Sequence, residues 1–194
     1  MIAVVSDHGE YLQEHGLYDH HGLRDEVLHV PMFIHDPRTT DGHRRHDVVS
    51  TLDLAPTLLD LMDLDALPGA QGRSLLDPKS AEAPRPVHAE WRDYRLLLKR
   101  HEASPGDFQI SVQDGDDKLI RDLLYPEASL MFDKAADPGE DRNLFATDTD
   151  SRDRLEAILD RHLKDGLPQG LAGVDYIVLD AESMEMLKSL GYVR

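Results

Sequence analysis

The opening 37 residues, MIAVVSDHGEYLQEHGLYDHHGLRDEVLHVPMFIHDP, run from an apolar stretch into a cluster of carboxylates and imidazoles. Asp7 and His8 stand first in that cluster, and a carboxylate oxygen beside an imidazole nitrogen can hold a divalent cation. Ile2-Ala3-Val4-Val5, just before them, is continuously apolar and β-branched, which predicts a strand covered on both faces, as in a parallel sheet. Polarity begins at Ser6. Asp7, His8, Gly9 and Glu10 are therefore expected just past the carboxyl end of a strand, the edge where open α/β sheets bind ligands. The same pair would also suit a helix start, with Asp7 capping backbone N–H groups and His8 solvated, and for a bare Asp-His that bland alternative leads.

The wider sequence adds context. Ser6-Asp7-His8-Gly9-Glu10, then Glu14-His15-Gly16-Leu17-Tyr18, then Val30-Pro31-Met32-Phe33-Ile34 follow in order. Downstream come Ser50-Thr51-Leu52-Asp53-Leu54-Ala55-Pro56-Thr57-Leu58-Leu59-Asp60-Leu61, Gly72-Arg73-Ser74-Leu75-Leu76, Leu130-Met131-Phe132-Asp133 with Asp137-Pro138-Gly139-Glu140 and Asn143-Leu144, and Leu187-Lys188-Ser189-Leu190-Gly191-Tyr192-Val193. In their order and near spacing these pieces resemble the C-terminal portion of the sulfatase family of the alkaline-phosphatase superfamily. The resemblance covers nearly the whole chain. Sulfatases also carry an N-terminal Asp-Asp metal pair and a Cys- or Ser-x-Pro-x-Arg box whose Cys or Ser becomes the formylglycine nucleophile. This chain has no Cys, and neither Pro84-Arg85 nor Ser104-Pro105 fits the box. With Met1 one residue ahead of a strand, the expectation is a fragment whose nucleophile and remaining metal ligands lie elsewhere.

The resemblance implies roles residue by residue. Asp7 and His8 match the metal-ligating positions, His8 standing where many members have Asn. Calcium is the family's usual ion, and the imidazole keeps manganese, magnesium and zinc open. His20 stands where many sulfatases place a Lys that binds sulfate oxygens and helps neutralise the leaving group, and His21 follows it. Adjacent side chains of an extended segment point opposite ways, so one of the two is expected to face the site. His20 is favoured by register, with His21 as a substrate contact or structural residue. Two solvated loop histidines are the plain alternative. Glu10 is expected to satisfy backbone donors, His15 to line the pocket, and His29, His35, His43 and His46 to lie at the surface. Trp91 reads as a core aromatic that could also touch substrate.

The implied function is sulfuric ester hydrolysis with a divalent metal, acting on a sulfate-ester small molecule or a sulfated glycan. A phosphodiesterase or phosphonate monoester hydrolase of the same superfamily is the alternative. So is a noncatalytic piece of a split protein, pairing with the missing N-terminal half or with itself, and the isolated chain is expected to be inactive.

The charge narrows the partners. Among 194 residues, 38 are acidic and 21 basic, for a formal charge of −17 dispersed along the chain. Such a surface repels nucleic acid and suits solubility at high salt, so a halophilic setting is expected, against an ordinary acidic protein. No apolar run is long enough to span a membrane, and no signal peptide is present, which favours the cytoplasm.

The elements that would hold the site form an α/β chain. Residues 1–80 alternate strand (2–5), strand (30–34) and helix (about 50–63, starting near Thr51 to Asp53 because Pro56 must lie in its first turn), as at the end of a doubly wound, alkaline-phosphatase-like sheet. Leu54, Leu58, Leu61 and Met62 make its apolar face. A Pro-rich stretch, 77–86, marks a boundary to a second subdomain, 84–194. There, strand candidates at 87–91, 94–99, 108–112, 117–120 and 129–132 form a small antiparallel sheet, with turns at Gly106, Asp114-Gly115 and Pro126. Helices are expected at about 150–165, where Leu155, Ile158, Leu159, His162 and Leu163 share a face, and at about 180–190.

Overall fold

The computed structural model describes residues 1–42, 44–76, 85–93 and 102–166. The predicted strand at 94–99, the helix at 180–190, His43, the terminal Leu187 to Val193 motif and most of the 77–86 boundary lie outside them. Among the described residues no helix is long and apolar enough to cross a membrane.

A four-stranded antiparallel meander forms the centre: β5 (Val87–Arg92), β6 (Phe108–Asp114), β7 (Asp117–Asp122) and β8 (Leu130–Asp133), in that spatial order. The two-residue turn Gly115-Asp116 joins β6 to β7, with Gly115 at φ 64°, the left-handed geometry that such a hairpin needs. Side chains alternate across the sheet, so neighbouring residues serve opposite layers. Ile110, Val112, Leu119 and Met131 pack under Leu155 and Leu159 of the C-terminal helix, here α3 (Thr149–Gly166). That is the stripe expected at 150–165. Asp148 starts the helix by accepting the Ser151 N–H on Oδ1 at 3.1 Å. On the opposite face Ile120 and Phe132 pack with Leu23, flanked by Trp91 and Leu130.

That second face carries the N-terminal loops. Short α1 (Asp25–Leu28) is fastened to the sheet by a buried cluster of two lysines and two carboxylates. Lys118 Nζ lies 2.6 Å from Asp25 Oδ1 and 2.8 Å from Glu140 Oε1, and Lys134 Nζ lies 3.0 Å and 2.9 Å from the same two carboxylates. Arg24 adds a hydrogen bond to the Glu140 carbonyl.

β1 (Ile2–Val5) pairs antiparallel with β4 (Met32–His35), in the register Ile2 with His35 and Val5 with Met32. The expectation of a strand buried on both faces is corrected: Ile2, Val4 and Phe33 are 62 %, 56 % and 67 % exposed. A continuous apolar run demands cover, and no described element of this chain supplies it. α2 (Leu54–Leu61) follows a 3₁₀ turn, Thr51–Asp53, opened by a capping box in which the Ser50 and Asp53 side chains exchange bonds with each other's backbone. Its predicted apolar face holds in part: Leu61 is buried with Thr57, whereas Met62 is exposed.

His88 of β5 stacks on His162 of α3, ring centroids 3.9 Å apart and nearly parallel. His162 thus sits at the rim of the packed stripe. Burial, then the neighbouring His162 and Arg85, pull His88 down to about 4. Between about 6.5 and 4 the unfolded chain therefore binds a proton that the folded chain refuses, so stability is full above about 6.5 and falls with pH toward 4. With screening on this half-exposed ring, the loss should be on the order of 1–2 kcal/mol. Urea midpoints across that range should show it, and an H88L variant should flatten the slope.

Candidate functional site

The site is built on the loop that leaves β1. The Ser6 hydroxyl donates to the His8 carbonyl at 2.7 Å, and Asp7 Oδ1 accepts the His8 N–H at 3.0 Å. Gly9 then presses on α1: its N–H donates to the Val27 carbonyl at 2.8 Å, and a Cβ on Gly9 would sit 2.0 Å from the Glu26 carbonyl oxygen. A Gly9→Ala variant should therefore lose about 1–3 kcal/mol, read as a lowered urea midpoint, with α1 or the Ser6–Glu10 loop displaced.

A two-stranded ribbon returns the chain to this loop. β2 (Tyr11–Leu12) pairs with β3 (Tyr18–Asp19), and three non-glycine residues take left-handed backbone: Gln13 (φ 104°), His15 (φ 54°) and Asp19 (φ 74°). Asp tolerates that region better than most residues, and here it reverses the chain just before His20. The His20 ring stacks on His8 with centroids 4.1 Å apart. Its Nδ1 lies 2.7 Å from Asp19 Oδ1 and 3.2 Å from Glu10 Oε1.

His21 turns the other way. Its ring stacks on Trp91, centroids 5.2 Å apart, and its Nε2 lies 3.8 Å from Asp19 Oδ2. The loop thus brings His8, Glu10 and His20 together and sends His21 to the sheet. Glu10 differs from expectation: its carboxylate pairs with imidazoles and not with backbone donors. His15 lines the neighbouring cavity and meets Glu26 Oε1 through Nε2 at 3.1 Å. His29, His35 and His46 are exposed. Asp19, set by the ribbon's backbone geometry, carried no signal in sequence.

The donor set suits a divalent ion. His8 Nδ1 lies 2.9 Å from the Gly9 carbonyl oxygen, which can only accept, so in the neutral ring Nδ1 holds the hydrogen and Nε2 keeps its lone pair. That Nε2 lies 3.8 Å from Asp7 Oδ2, and the Asp7 side chain is 81 % exposed. One ligand atom from each of His8, Glu10 and His20 also lies within 4.8 Å of the other two.

Between this loop and the sheet lies a cavity of about 400 Å³, lined by Tyr11, His21, Gly22, Trp91, Asp107 and Gln109 among others. Burial raises the Tyr11 hydroxyl to about 12, so it stays protonated there.

Comparison with known proteins places these features in a family. The profile for "N-sulphoglucosamine sulphohydrolase, C-terminal" matches residues 13–167. N-acetylglucosamine-6-O-sulfatase of Bacteroides thetaiotaomicron is 28 % identical over 150 residues, covering 75 % of this chain and 26 % of that protein. A structure solved with its substrate D-glucosamine-2-N,6-O-disulfate aligns with TM-score 0.63 and 25 % identity, over 84 % of this chain and 33 % of that one. The phosphonate monoester hydrolase of Agrobacterium radiobacter aligns with TM-score 0.59 and 25 % identity, over 82 % and 33 %. This chain therefore spans about a quarter of that curated relative and a third of each solved structure. Its α/β fold is that of the C-terminal part of an alkaline-phosphatase-like enzyme, and the chain belongs to the sulfatase family, as its C-terminal portion.

Proposed function

We propose that this chain supplies the metal-loop and leaving-group half of a sulfuric ester hydrolase, the nucleophile coming from the part of the enzyme outside these residues. One observation carries the reading: the strand-end pair Asp7-His8 and the imidazole of His20 meet in a single cluster, in a chain of sulfatase family. Asp7 and His8 would hold a divalent ion, calcium first, with manganese, magnesium or zinc as the alternatives that the imidazole allows. A bound ion supplies Lewis-acid polarisation of the ester's non-bridging oxygen. His20 serves the departing group. With Asp19 and Glu10 at its Nδ1, its Nε2 is left to donate a proton or present positive charge to the leaving oxygen. Residues 1–80 act as the end of the catalytic α/β domain and 84–194 as a subdomain over the cleft. The substrate is a sulfate ester, small or glycan-borne.

Titrating calcium into the purified chain tests the metal half, and Asp7→Asn should weaken binding by about tenfold or more. Turnover of 4-nitrophenyl sulfate tests the rest. The chain alone should give none, and joined to the N-terminal part of a sulfatase bearing the Cys- or Ser-x-Pro-x-Arg box it should gain turnover. Activity of the lone chain would sink the half-site reading, and a preference for phosphonate esters would favour the phosphonate monoester hydrolase.

A further inference from the structure

We infer that His8, Glu10 and His20 form a second metal site, suited to a nitrogen-preferring divalent ion such as zinc, which takes His8 from the proposed calcium pair and His20 from the leaving group. Its inhibitory consequence rests on the sulfatase reading, whereas the site itself rests on three converging side chains.

Glu10 stands beside both imidazoles. Its Oε1 lies 3.2 Å from His20 Nδ1 and 4.0 Å from His8 Nδ1. With the rings stacked, centroids 4.1 Å apart, the same nitrogen of each is turned to one carboxylate. One ligand atom from each of the three lies within 4.8 Å of the other two, and among the described residues no other three His or carboxylate side chains converge so closely. A tetrahedral zinc ion with bonds of about 2.0–2.1 Å sets its ligand atoms about 3.3 Å apart, a value that the two contacts of Glu10 bracket. Glu10 is exposed, so an ion enters from solvent and water completes its shell. Calcium, which gathers oxygen ligands, finds only one carboxylate in this set.

The two sites share His8 through opposite nitrogens. The calcium pair uses Nε2, 3.8 Å from Asp7 Oδ2, with the ring hydrogen on Nδ1 beside the Gly9 carbonyl. Zinc at Nδ1 moves that hydrogen to Nε2 and removes the lone pair that faces Asp7. A neutral imidazole offers one lone pair, so one mode excludes the other. His20 loses its role in a different way. Zinc at its Nδ1 replaces the hydrogen held there by Glu10 and by Asp19, whose Oδ1 lies 2.7 Å away, and that proton goes to water. The ring is then a neutral metal ligand and no longer an acid for the departing oxygen.

Zinc chloride titrated calorimetrically into the purified chain should bind as a single ion. Glu10→Gln and His20→Ala should each weaken it by about tenfold or more, while Asp7→Asn leaves it unchanged. Cobalt(II) in the same chain should show the strong visible absorption of a four-coordinate, imidazole-bound ion, and His20→Ala should abolish it. Saturating zinc should weaken calcium binding, and Glu10→Gln should remove that antagonism. Zinc affinity that falls with Asp7→Asn and not with Glu10→Gln would put the ion in the calcium pair and overturn the second site. Calcium affinity indifferent to zinc would overturn the exclusion. In the chain joined to a box-bearing N-terminal part, zinc should suppress turnover of alkyl sulfates more than that of 4-nitrophenyl sulfate. Zinc binding that follows Glu10 and His20 in a joined enzyme without sulfatase turnover would leave the site standing and defeat the sulfatase reading alone.

Discussion

Lys118→Ala should destabilise the chain by about 3–5 kcal/mol, because removing one partner strands charge in a place that water does not reach. Lys118 is 1 % exposed and so is Glu140. Two lysines there balance two carboxylates, and the alanine leaves Asp25 and Glu140 with Lys134 alone. Urea unfolding measures the loss. A Lys118→Met/Glu140→Met double variant should lose less than the sum of its singles, since the remaining pair is again balanced. Acid should act on the same cluster. Burial pushes Asp25 up, yet the charges and hydrogen bonds of Lys118 and Lys134 outweigh it and bring the carboxyl down to about 2. A depressed carboxyl contributes its stability above the unfolded value near 3.9, and that contribution is lost as pH falls toward 2. Asp25→Asn should remove this window, and an acid limb unchanged by the substitution would show that other carboxylates carry it.

His20→Ala should lower kcat of the completed enzyme by about 10²–10⁴-fold, the usual worth of a positioned general acid. The size of the effect should depend on the substrate. A nitrophenolate leaves with little help, whereas an alkoxide needs a proton or a cation beside it, so alkyl sulfates should suffer far more than 4-nitrophenyl sulfate. His20→Lys should recover much of the loss through charge alone. A loss equal for all leaving groups would assign His20 to binding or structure. His21, on the Trp91 side, should move KM more than kcat.

The elements that could be read in advance are those whose pattern is local. Leu155, Ile158, Leu159 and Leu163 declare α3 by spacing alone, and Asp114-Gly115 marks the β6–β7 hairpin because few other residues accept its backbone. Ends shifted by a residue or two, as at β4 and β6, since ladder bonds outlast the apolar run. What escaped depends on distant chain. Lys118, lying between polar and apolar residues, looks like an ordinary exposed position, and it is buried by partners 93 and 22 residues away. The burial of β1 was overestimated because an apolar run says that cover is needed without saying which polypeptide gives it. The rings of His8 and His20 stack, and with Asp7 they were singled out as candidates by motif order. Their carboxylate companions were not, because Glu10 and Asp19 reach His20 only when the β2–β3 ribbon closes.

Dissolved ions should act on this chain unevenly. Screening shortens from roughly 8 Å in physiological salt to 3 Å at 1 M, which quiets repulsion among surface carboxylates in a molecule of net charge −17. The Lys118 ammonium and the Glu140 carboxylate under α1, each 1 % exposed, lie beyond the reach of those ions. Brine thus relaxes the outside of the protein while the buried part of the joint that holds its N-terminal loop to the sheet keeps its grip.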